Sequence, residues 1–471
     1  MISLYEYQQE HANVIRNSLM TQRTALDRSH MGTGKTVVSA WVADSINLDA
    51  VLVVCPKIVL KPWREWMEKT SRYGHGAFEV LTWEKLRRGN TPFLSREGKG
   101  RRARFDWSAC PQNTLVIFDE CHYAKGRGTL NSRMVTAAKD AGLLTLFLSA
   151  TPFQSPLDFQ ALGYALGVHE GGSSYWQWAR KHGVTRGRFG MQWKGGDKVL
   201  TKISSTLTDL QVASGMKVTD EGVREFFSDN IVSADSYYVD DPAFIDELYA
   251  EIVSLESLDG VESDDRRKVQ DKIDKLDPNL DPEIYCEQVA AIENGAALVE
   301  AIRLRQRAEL YKVPVFLALG NEAIEDGKWP IIFVNHVDTL EEVVTAIQSG
   351  GGNVCKLHGQ MTQRAKDANV EAFQNSTEPT WFVSTISAGG VGVSLHDTLG
   401  TRPRATYISP AYNAVHMQQV FGRAFRSGGK SPVTQQLVFA ADTVEEEVCK
   451  KVRKKLRNIA TLNDEDLLIT I

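Results

Sequence analysis

The sequence predicts an α/β fold with two parallel sheets, one in each half of the 471 residues, and a helical insertion between them. Three observations predict it. Short apolar runs alternate with longer mixed segments, as buried parallel strands and their crossover helices require. The runs form two series. Between the series, from Asp240 to about Leu310, the chain turns acidic and reads as helices.

In the first series the strands are Val51-Leu-Val-Val54, Leu115-Val-Ile-Phe118 and Leu144-Thr-Leu-Phe-Leu148. Each runs directly into a polar cluster, and open α/β sheets carry their chemistry beyond the carboxyl ends of strands. The second series is Ile331-Ile-Phe-Val334, Trp381-Phe-Val-Ser384 and Ala405-Thr-Tyr-Ile408. In the acidic middle, Phe244-Ile-Asp-Glu-Leu-Tyr-Ala-Glu-Ile252 predicts a helix, and Asp277-Pro-Asn-Leu-Asp-Pro282 has turn chemistry. An acidic segment repels nucleic acid, so its expected place is an outer face or a basic surface of the same chain. The resulting division is residues 1–232, with a helical and basic extension over 156–232, and residues 233–471, with the acidic helical insertion over 241–310.

The bulk properties exclude several classes. A hydrophobic content of 42% and a charged content of 24% are ordinary for a globular protein. The net charge of -5 does not announce a nucleic-acid binder, but a local basic face suffices for that. Six scattered cysteines, without paired metal spacing, read as reduced thiols. The N-terminus is too polar for a signal peptide, and no run of about 18 apolar residues offers a membrane span. The expectation is a cytoplasmic protein with no membrane partner.

Ser29-His-Met-Gly-Thr-Gly-Lys-Thr36 has the parts of a triphosphate cradle. Such a loop needs bare N–H groups turned inward, a lysine for the β/γ charge and a hydroxyl for Mg²⁺. Gly32, Thr33, Gly34, Lys35 and Thr36 supply them, and Val37-Val-Ser-Ala-Trp-Val-Ala43 predicts the helix facing the phosphates. Ser29 stands where the usual first glycine would, a small departure. Asp119 and Glu120 end an apolar strand, where one carboxylate serves Mg²⁺ and the other a water. Arg423 and Arg426 are three apart, so on a helix they share a face suited to transferred phosphoryl charge.

Three stretches are locally basic: Lys85 to Arg104, which includes Arg101 and Arg102, Arg180 to Lys202, interleaved with tryptophans, and Lys450 to Arg457. The first reads either as a solvated loop or as a protrusion that neutralises nucleic-acid phosphates. The second reads as an extension packing Trp176, Trp178 and Trp193 on the first domain, ahead of an aromatic wedge at a duplex junction. The third reads as a solvated helix face.

With Ser149-Ala-Thr151 and Gln419-Val-Phe-Gly-Arg-Ala-Phe-Arg426 in the same order, the chain resembles superfamily 2 helicases, and within them the Snf2-like DNA translocases. Leu4-Tyr-Glu-Tyr-Gln8 is similar to the motif whose glutamine reads adenine, so the resemblance gives Gln8 that role. Val51-Leu-Val-Val-Cys-Pro-Lys57 followed by Trp63, and Leu81-Thr-Trp-Glu-Lys85, are similar to motifs that touch the nucleic-acid backbone. Asp119-Glu-Cys-His122 resembles the DExH box. Leu357-His-Gly359 with Arg364, and Ser384-Thr-Ile-Ser-Ala-Gly-Gly-Val-Gly-Val-Ser394, resemble motifs IVa and V. Pro410-Ala-Tyr-Asn413 is similar to the segment that precedes motif VI.

The resemblance implies two RecA-like domains that hold ATP and Mg²⁺. Lys35, Asp119, Glu120, Arg423 and Arg426 would be catalytic. Gln8, Gly32 to Thr36, Gly392 and Gln419 would bind the nucleotide, with Thr36 and Asp119 toward the metal. Lys57, Thr82, His358, Thr385, Arg101 and Arg102 would meet nucleic acid. It implies DNA as the partner, as fork, junction or duplex, together with replication or recombination proteins. The compact chain looks like phage, viral or bacterial members. Two departures stand out: Ser-Ala-Thr-Pro replaces the branch's usual Gly-Thr-Pro, and Phe425 replaces a histidine. The first keeps an RNA helicase open as an alternative, and an adaptor that uses ATP only as a switch is a separate one.

Overall fold

The computed structural model describes residues 2–70, 78–98, 102–126, 128–187, 190–257, 304–390, 393–411, 414–443 and 445–463. The chain divides into two compact units, residues 1–226 with 457–466, and residues 227–456 with 467–471.

The first unit is built on a six-stranded parallel sheet. Its strands are β1 (Thr24–Asp27), β2 (Ala50–Cys55), β3 (Phe78–Thr82), β6 (Thr114–Asp119), β7 (Leu144–Leu148) and β10 (Ala213–Ser214). Their order across the sheet is β10-β1-β7-β6-β2-β3. Two antiparallel strand pairs lie outside this sheet, β4 (Ser95–Glu97) with β5 (Arg104–Asp106), and β8 (Val184–Gly187) with β9 (Gly190–Trp193). Every residue of β2 is buried, which is why that strand is one continuous apolar run rather than an alternating one. Leu52, Val54, Val116, Phe118 and Phe147 form the middle of the core, each worth roughly 1.5–3 kcal/mol of apolar burial.

Four helices of this unit matter for the site: α1 (Glu6–Gln22), α2 (Lys35–Ser45), α3 (Leu60–Glu68) and α4 (Trp83–Arg87). The predicted phosphate helix is therefore present and extends beyond Val37–Ala43 at both ends.

The tryptophans of the basic extension belong to the packing of this unit. Trp176, Trp178 and Trp193 lie against the same core, and the Trp193 indole N–H donates to the His182 carbonyl at 2.9 Å. In the first basic stretch α4 is followed by the antiparallel pair β4–β5, whose register sets Arg96 opposite Phe105 and Glu97 opposite Arg104, with Phe105 packed against the core.

The second unit holds another parallel six-stranded sheet. Its strands are β11 (Asn230–Tyr237), β12 (Trp329–Val334), β13 (Asn353–Leu357), β14 (Thr380–Thr385), β15 (Arg404–Ile408) and β16 (Val433–Ala440), in the order β11-β16-β15-β12-β14-β13. The helix predicted around Phe244–Ile252 is Pro242–Ser257. The turn at Asp277–Pro282 and most of the acidic insertion lie outside the described residues. Lys450 to Arg457 falls within the helix Glu445–Asn463, where Lys450, Arg453, Lys454 and Arg457 are exposed. Two parallel sheets with flanking helices give each unit the RecA-like α/β architecture. Among the described residues no helix is long and apolar enough to cross a membrane.

Candidate nucleotide and nucleic-acid sites

In the first unit the candidate residues gather where the sheet's strands end. The loop from Arg28 to Gly34 follows β1, Glu120 follows β6, Ser149 to Thr151 follow β7, and Lys57 follows β2. Parallel strands in register make this arrangement. Leu148 pairs with both Asp27 and Asp119, so the chains leaving β1 and β6 depart at the same level on either side of β7.

The phosphate loop is shaped by its glycines. Gly32 and Gly34 have φ of 77° and 95°, in the left-handed region that favours glycine. A Cβ on Gly34 would be strained by this backbone conformation and would also press on the end of the Gln8 side chain. Gly34 caps α2, whose first residues are Lys35 and Thr36. The Lys35 ammonium donates to the loop's own carbonyls, Ser29 at 2.8 Å and His30 at 3.2 Å. A cation folded into a ring of backbone groups at a helix N-terminus is a phosphate-binding arrangement.

Beneath the loop lies a buried polar group that sequence reasoning missed. Asp27 sits 3.1 Å from His11 Nε2 and accepts the Ser29 N–H at 2.9 Å. The Ser29 hydroxyl accepts the Met216 N–H at 2.9 Å and lies 3.2 Å from the same His11 nitrogen. Ser29 is thus more than a tolerated stand-in for glycine: its hydroxyl fastens the loop to α1 and to the segment after β10. Burial would raise the Asp27 carboxyl, but His11, Lys35 and Ser29 together bring it below its ordinary value. His30 is pushed down to about 4, chiefly by burial, and is neutral near pH 7.

Gln8 is committed to the same loop. Its amide donates to the Thr33 carbonyl at 2.9 Å, and its oxygen accepts the Tyr5 N–H at 3.1 Å.

The acidic pair is held differently. Asp119 is pinned at both oxygens: the Trp63 indole N–H donates to Oδ2 at 2.7 Å and the Glu120 N–H to Oδ1 at 2.9 Å. Trp83 donates its indole N–H to the Asp119 backbone carbonyl at 2.9 Å. Burial, then the neighbouring Glu120 charge, push the Asp119 carboxyl up to about 7, against the opposing pull of Trp63 and Lys35. Glu120 has φ of 51°, a left-handed conformation that costs a non-glycine residue on the order of 1–3 kcal/mol. That turn aims its carboxylate at the segment after β7. Oε2 lies 3.1 Å from His122 Nδ1 and accepts the Ser149 hydroxyl at 3.3 Å. Ser149 Oγ also accepts the Thr151 N–H at 3.1 Å. The DExH-like and Ser-Ala-Thr segments therefore form one hydrogen-bonded unit.

A carboxylate oxygen has capacity for more than one partner, so Asp119 can still accept from a metal-bound water. With Thr36 at the head of α2 and the glycine cradle beside it, these residues fit a hydrated Mg²⁺.

Two of the candidate nucleic-acid residues of this unit, Lys57 and Thr82, lie at the same carboxyl ends of the strands. Lys57 is exposed and opens the short 3-10 turn Lys57–Val59 ahead of α3. Thr82 caps α4, its hydroxyl accepting the Lys85 N–H at 3.1 Å. Arg102 is exposed on the hairpin, while Arg101 lies outside the described residues.

In the second unit Arg423 lies on the helix Ala414–Ala424, and Arg426 two residues beyond its end, so one helix face does not hold both. They converge even so. Arg423 donates to the Gln419 carbonyl at 2.9 Å and the Val393 carbonyl at 3.2 Å, and Arg426 reaches the same Val393 carbonyl at 3.4 Å and the Ser394 hydroxyl. Burial lowers the Arg426 pKa. The Gln419 amide is buried, with no hydrogen-bond partner among the described residues. Thr385 is buried at the end of β14, and His358 Nε2 lies 3.7 Å from Glu341. Gly392 lies outside the described residues.

Residues 1–154 match the family described as type III restriction enzyme, res subunit, and residues 313–428 match the helicase conserved C-terminal domain. The two matches cover more than half of the chain. The chain belongs to the superfamily 2 helicases.

As a superfamily 2 helicase it is a nucleic-acid-dependent ATPase. A protein of Acanthamoeba polyphaga mimivirus named as an ATP-dependent RNA helicase is 28% identical over 492 residues, 98% of this chain and 84% of that one. The human helicase-like transcription factor is 30% identical over 123 residues, 26% of this chain and 12% of that one. The ATP-dependent helicase rhp16 of Schizosaccharomyces pombe is 27% identical over 136 residues, 29% of this chain and 15% of that one. Among solved structures, the Sulfolobus solfataricus SWI2/SNF2 ATPase core in complex with dsDNA covers 99% of this helicase and 98% of its own chain, at 15% identity and a TM-score of 0.39.

Proposed function

We propose that this helicase is an ATP-driven motor on DNA that unwinds or remodels branched structures such as forks and junctions, in replication, recombination or repair. The observation that carries the reading is the shared sheet edge of the first unit. There the phosphate loop and the acidic pair stand beside Lys57 and Thr82, on the segments that resemble backbone-contacting motifs.

In this reading Lys35 and the loop N–H groups bind the β- and γ-phosphates, with Gln8 toward the base. Thr36 and Asp119 hold the hydrated Mg²⁺. The bound ion supplies charge neutralisation between the phosphates. Glu120, set by its left-handed turn and by His122 and Ser149, orients the attacking water and takes its proton. Arg423 and Arg426 serve the transferred phosphoryl, and Gln419 and Gly392 the nucleotide. Lys57, Thr82, Arg101, Arg102, His358 and Thr385 follow the strand backbone. The proposed setting is cytoplasmic, in a phage, virus or bacterium.

A forked DNA duplex with one labelled strand tests the reading: ATP-dependent strand release or branch migration supports it. A second reading, RNA as the track, is favoured by the mimivirus relative, whose name is that of an RNA helicase. Release from RNA duplexes but not from DNA would move the assignment to RNA.

A further inference from the structure

Trp63 does something that a core tryptophan does not require. It is fully buried, and a buried indole N–H needs an acceptor, which any nearby backbone carbonyl can provide. Trp83, just as buried, takes that ordinary solution and bonds the Asp119 backbone carbonyl. Trp63 instead bonds the Asp119 side chain, at 2.7 Å. A hydrogen bond to a carboxylate is shorter and stronger than one between neutral groups. With Oδ1 held by the Glu120 N–H, the carboxylate plane cannot turn unless one of these two bonds yields.

The other end of the connection is short. β2 lies beside β6, with Val54 paired to Phe118, so α3 starts next to the strand that ends in Asp119. Exposed Lys57 and buried Trp63 are six residues apart, on a 3-10 turn that runs directly into α3. There is no loop between them to absorb a displacement. A shift imposed at Lys57 therefore moves the indole against the carboxylate.

We propose that Trp63 is a positioning residue that relays nucleic-acid contact at Lys57 to the Asp119 carboxylate, so that the track sets the geometry of the acid that serves the metal. The proposal rests on the reading of Lys57 as a nucleic-acid contact. Trp83 is its internal control, because a bond to a backbone carbonyl cannot turn the carboxylate.

The test uses the full chain with ¹⁵N-labelled tryptophan indoles, Trp63→Phe, Trp83→Phe and Lys57→Ala. Trp63→Phe identifies the Trp63 indole resonance. Expected is a shift of that resonance when a duplex oligonucleotide is added without nucleotide, and loss of the shift in Lys57→Ala. In turnover, Trp63→Phe should lose at least tenfold in nucleic-acid-stimulated kcat with KM for ATP within twofold, while Trp83→Phe keeps its stimulation within about threefold.

An unmoved indole resonance under saturating oligonucleotide overturns the relay, and needs no variant to fold in order to be read. Full stimulation in Trp63→Phe overturns the relay alone, and so does an equal loss in both tryptophan variants. Unmodified protein that no nucleic acid stimulates overturns the reading beneath it, and the relay with it.

Discussion

The two units have the same kind of sheet but hold their candidate residues in different ways. In the first, the carboxylates are held by side chains, Asp119 by Trp63, Glu120 by Ser149 and Asp27 by His11, while Lys35 and Gln8 bond the loop's backbone carbonyls. In the second, the arginines are held mainly by backbone carbonyls, those of Gln419 and Val393. Side-chain networks can be edited one group at a time with the fold retained. Removing the Arg423 guanidinium takes a charged donor from both carbonyls, although Val393 keeps Arg426 and Gln419 lies within its helix. Chemistry and stability should therefore separate at the acidic pair of the first unit and travel together at Arg423.

The largest expected effects are chemical and come from the first unit. Glu120→Gln should lower stimulated turnover by roughly 10²–10⁴-fold while the urea midpoint stays near that of the unmodified protein. Lys35→Ala should lower turnover on the same scale and also some stability, because its ammonium bonds the Ser29 and His30 carbonyls. A large fall in midpoint for Glu120→Gln would break the contrast. Arg423→Ala should lose turnover on the same scale and also about 1–3 kcal/mol of stability, read from the urea transition of the second unit. Unchanged stability would show that the Gln419 and Val393 carbonyls do not depend on it.

The next effect is a dependence on pH. Asp119 is raised from its ordinary 3.8 to about 7, so it takes up a proton when the chain folds. Its favourable contribution is complete below about pH 4 and is lost as pH rises toward 7, where a charged carboxyl stays buried. Asp119→Asn should then match the unmodified protein in Tm near pH 4 and exceed it at pH 8, although it no longer turns over ATP. A gap that shrinks with rising pH would contradict this assignment.

Ser149→Ala is a smaller edit, since it removes the hydroxyl bonded to Glu120 and to the Thr151 N–H. Stability should fall by about 1 kcal/mol, and strand release should fall several-fold more than ATP turnover. Equal falls would mean that the hydroxyl serves chemistry alone. The smallest effect is expected at the hairpin. Arg102→Ala should weaken nucleic-acid binding modestly and lower the salt slope by about one, leaving turnover at saturating nucleic acid unchanged.

Much of this was legible in the sequence, for a physical reason. Buried strands made of apolar residues, such as Ala50–Cys55 and Trp329–Val334, announce themselves, whereas Thr24–Asp27, equally buried but carrying Thr24 and Asp27, does not. Half-polar strands do not. Asn230–Tyr237 and Val433–Ala440 mix buried and open positions, and Phe78–Thr82 and Asn353–Leu357 are short edges, so no run marked them. Glycine, lysine and carboxylate spacing revealed the phosphate loop and the acidic pair because their chemistry is local. The support around them is not local. Trp63 and Asp119 are 56 residues apart, and Ser29 and Met216 are 187 apart. The buried indole hinted at an acceptor without saying which one. Arg423 and Arg426 look like one helix face only if the helix continues, and it ends at Ala424.

The most direct test of the account is ATP hydrolysis by the unmodified chain, alone and then with single-stranded, duplex and forked DNA and with RNA, using Lys35→Ala as the blank. Low turnover alone, strong stimulation by duplex or forked DNA, and none in the blank are expected. Stimulation by RNA alone would contradict the DNA motor, and equal turnover with and without every nucleic acid would contradict the motor itself.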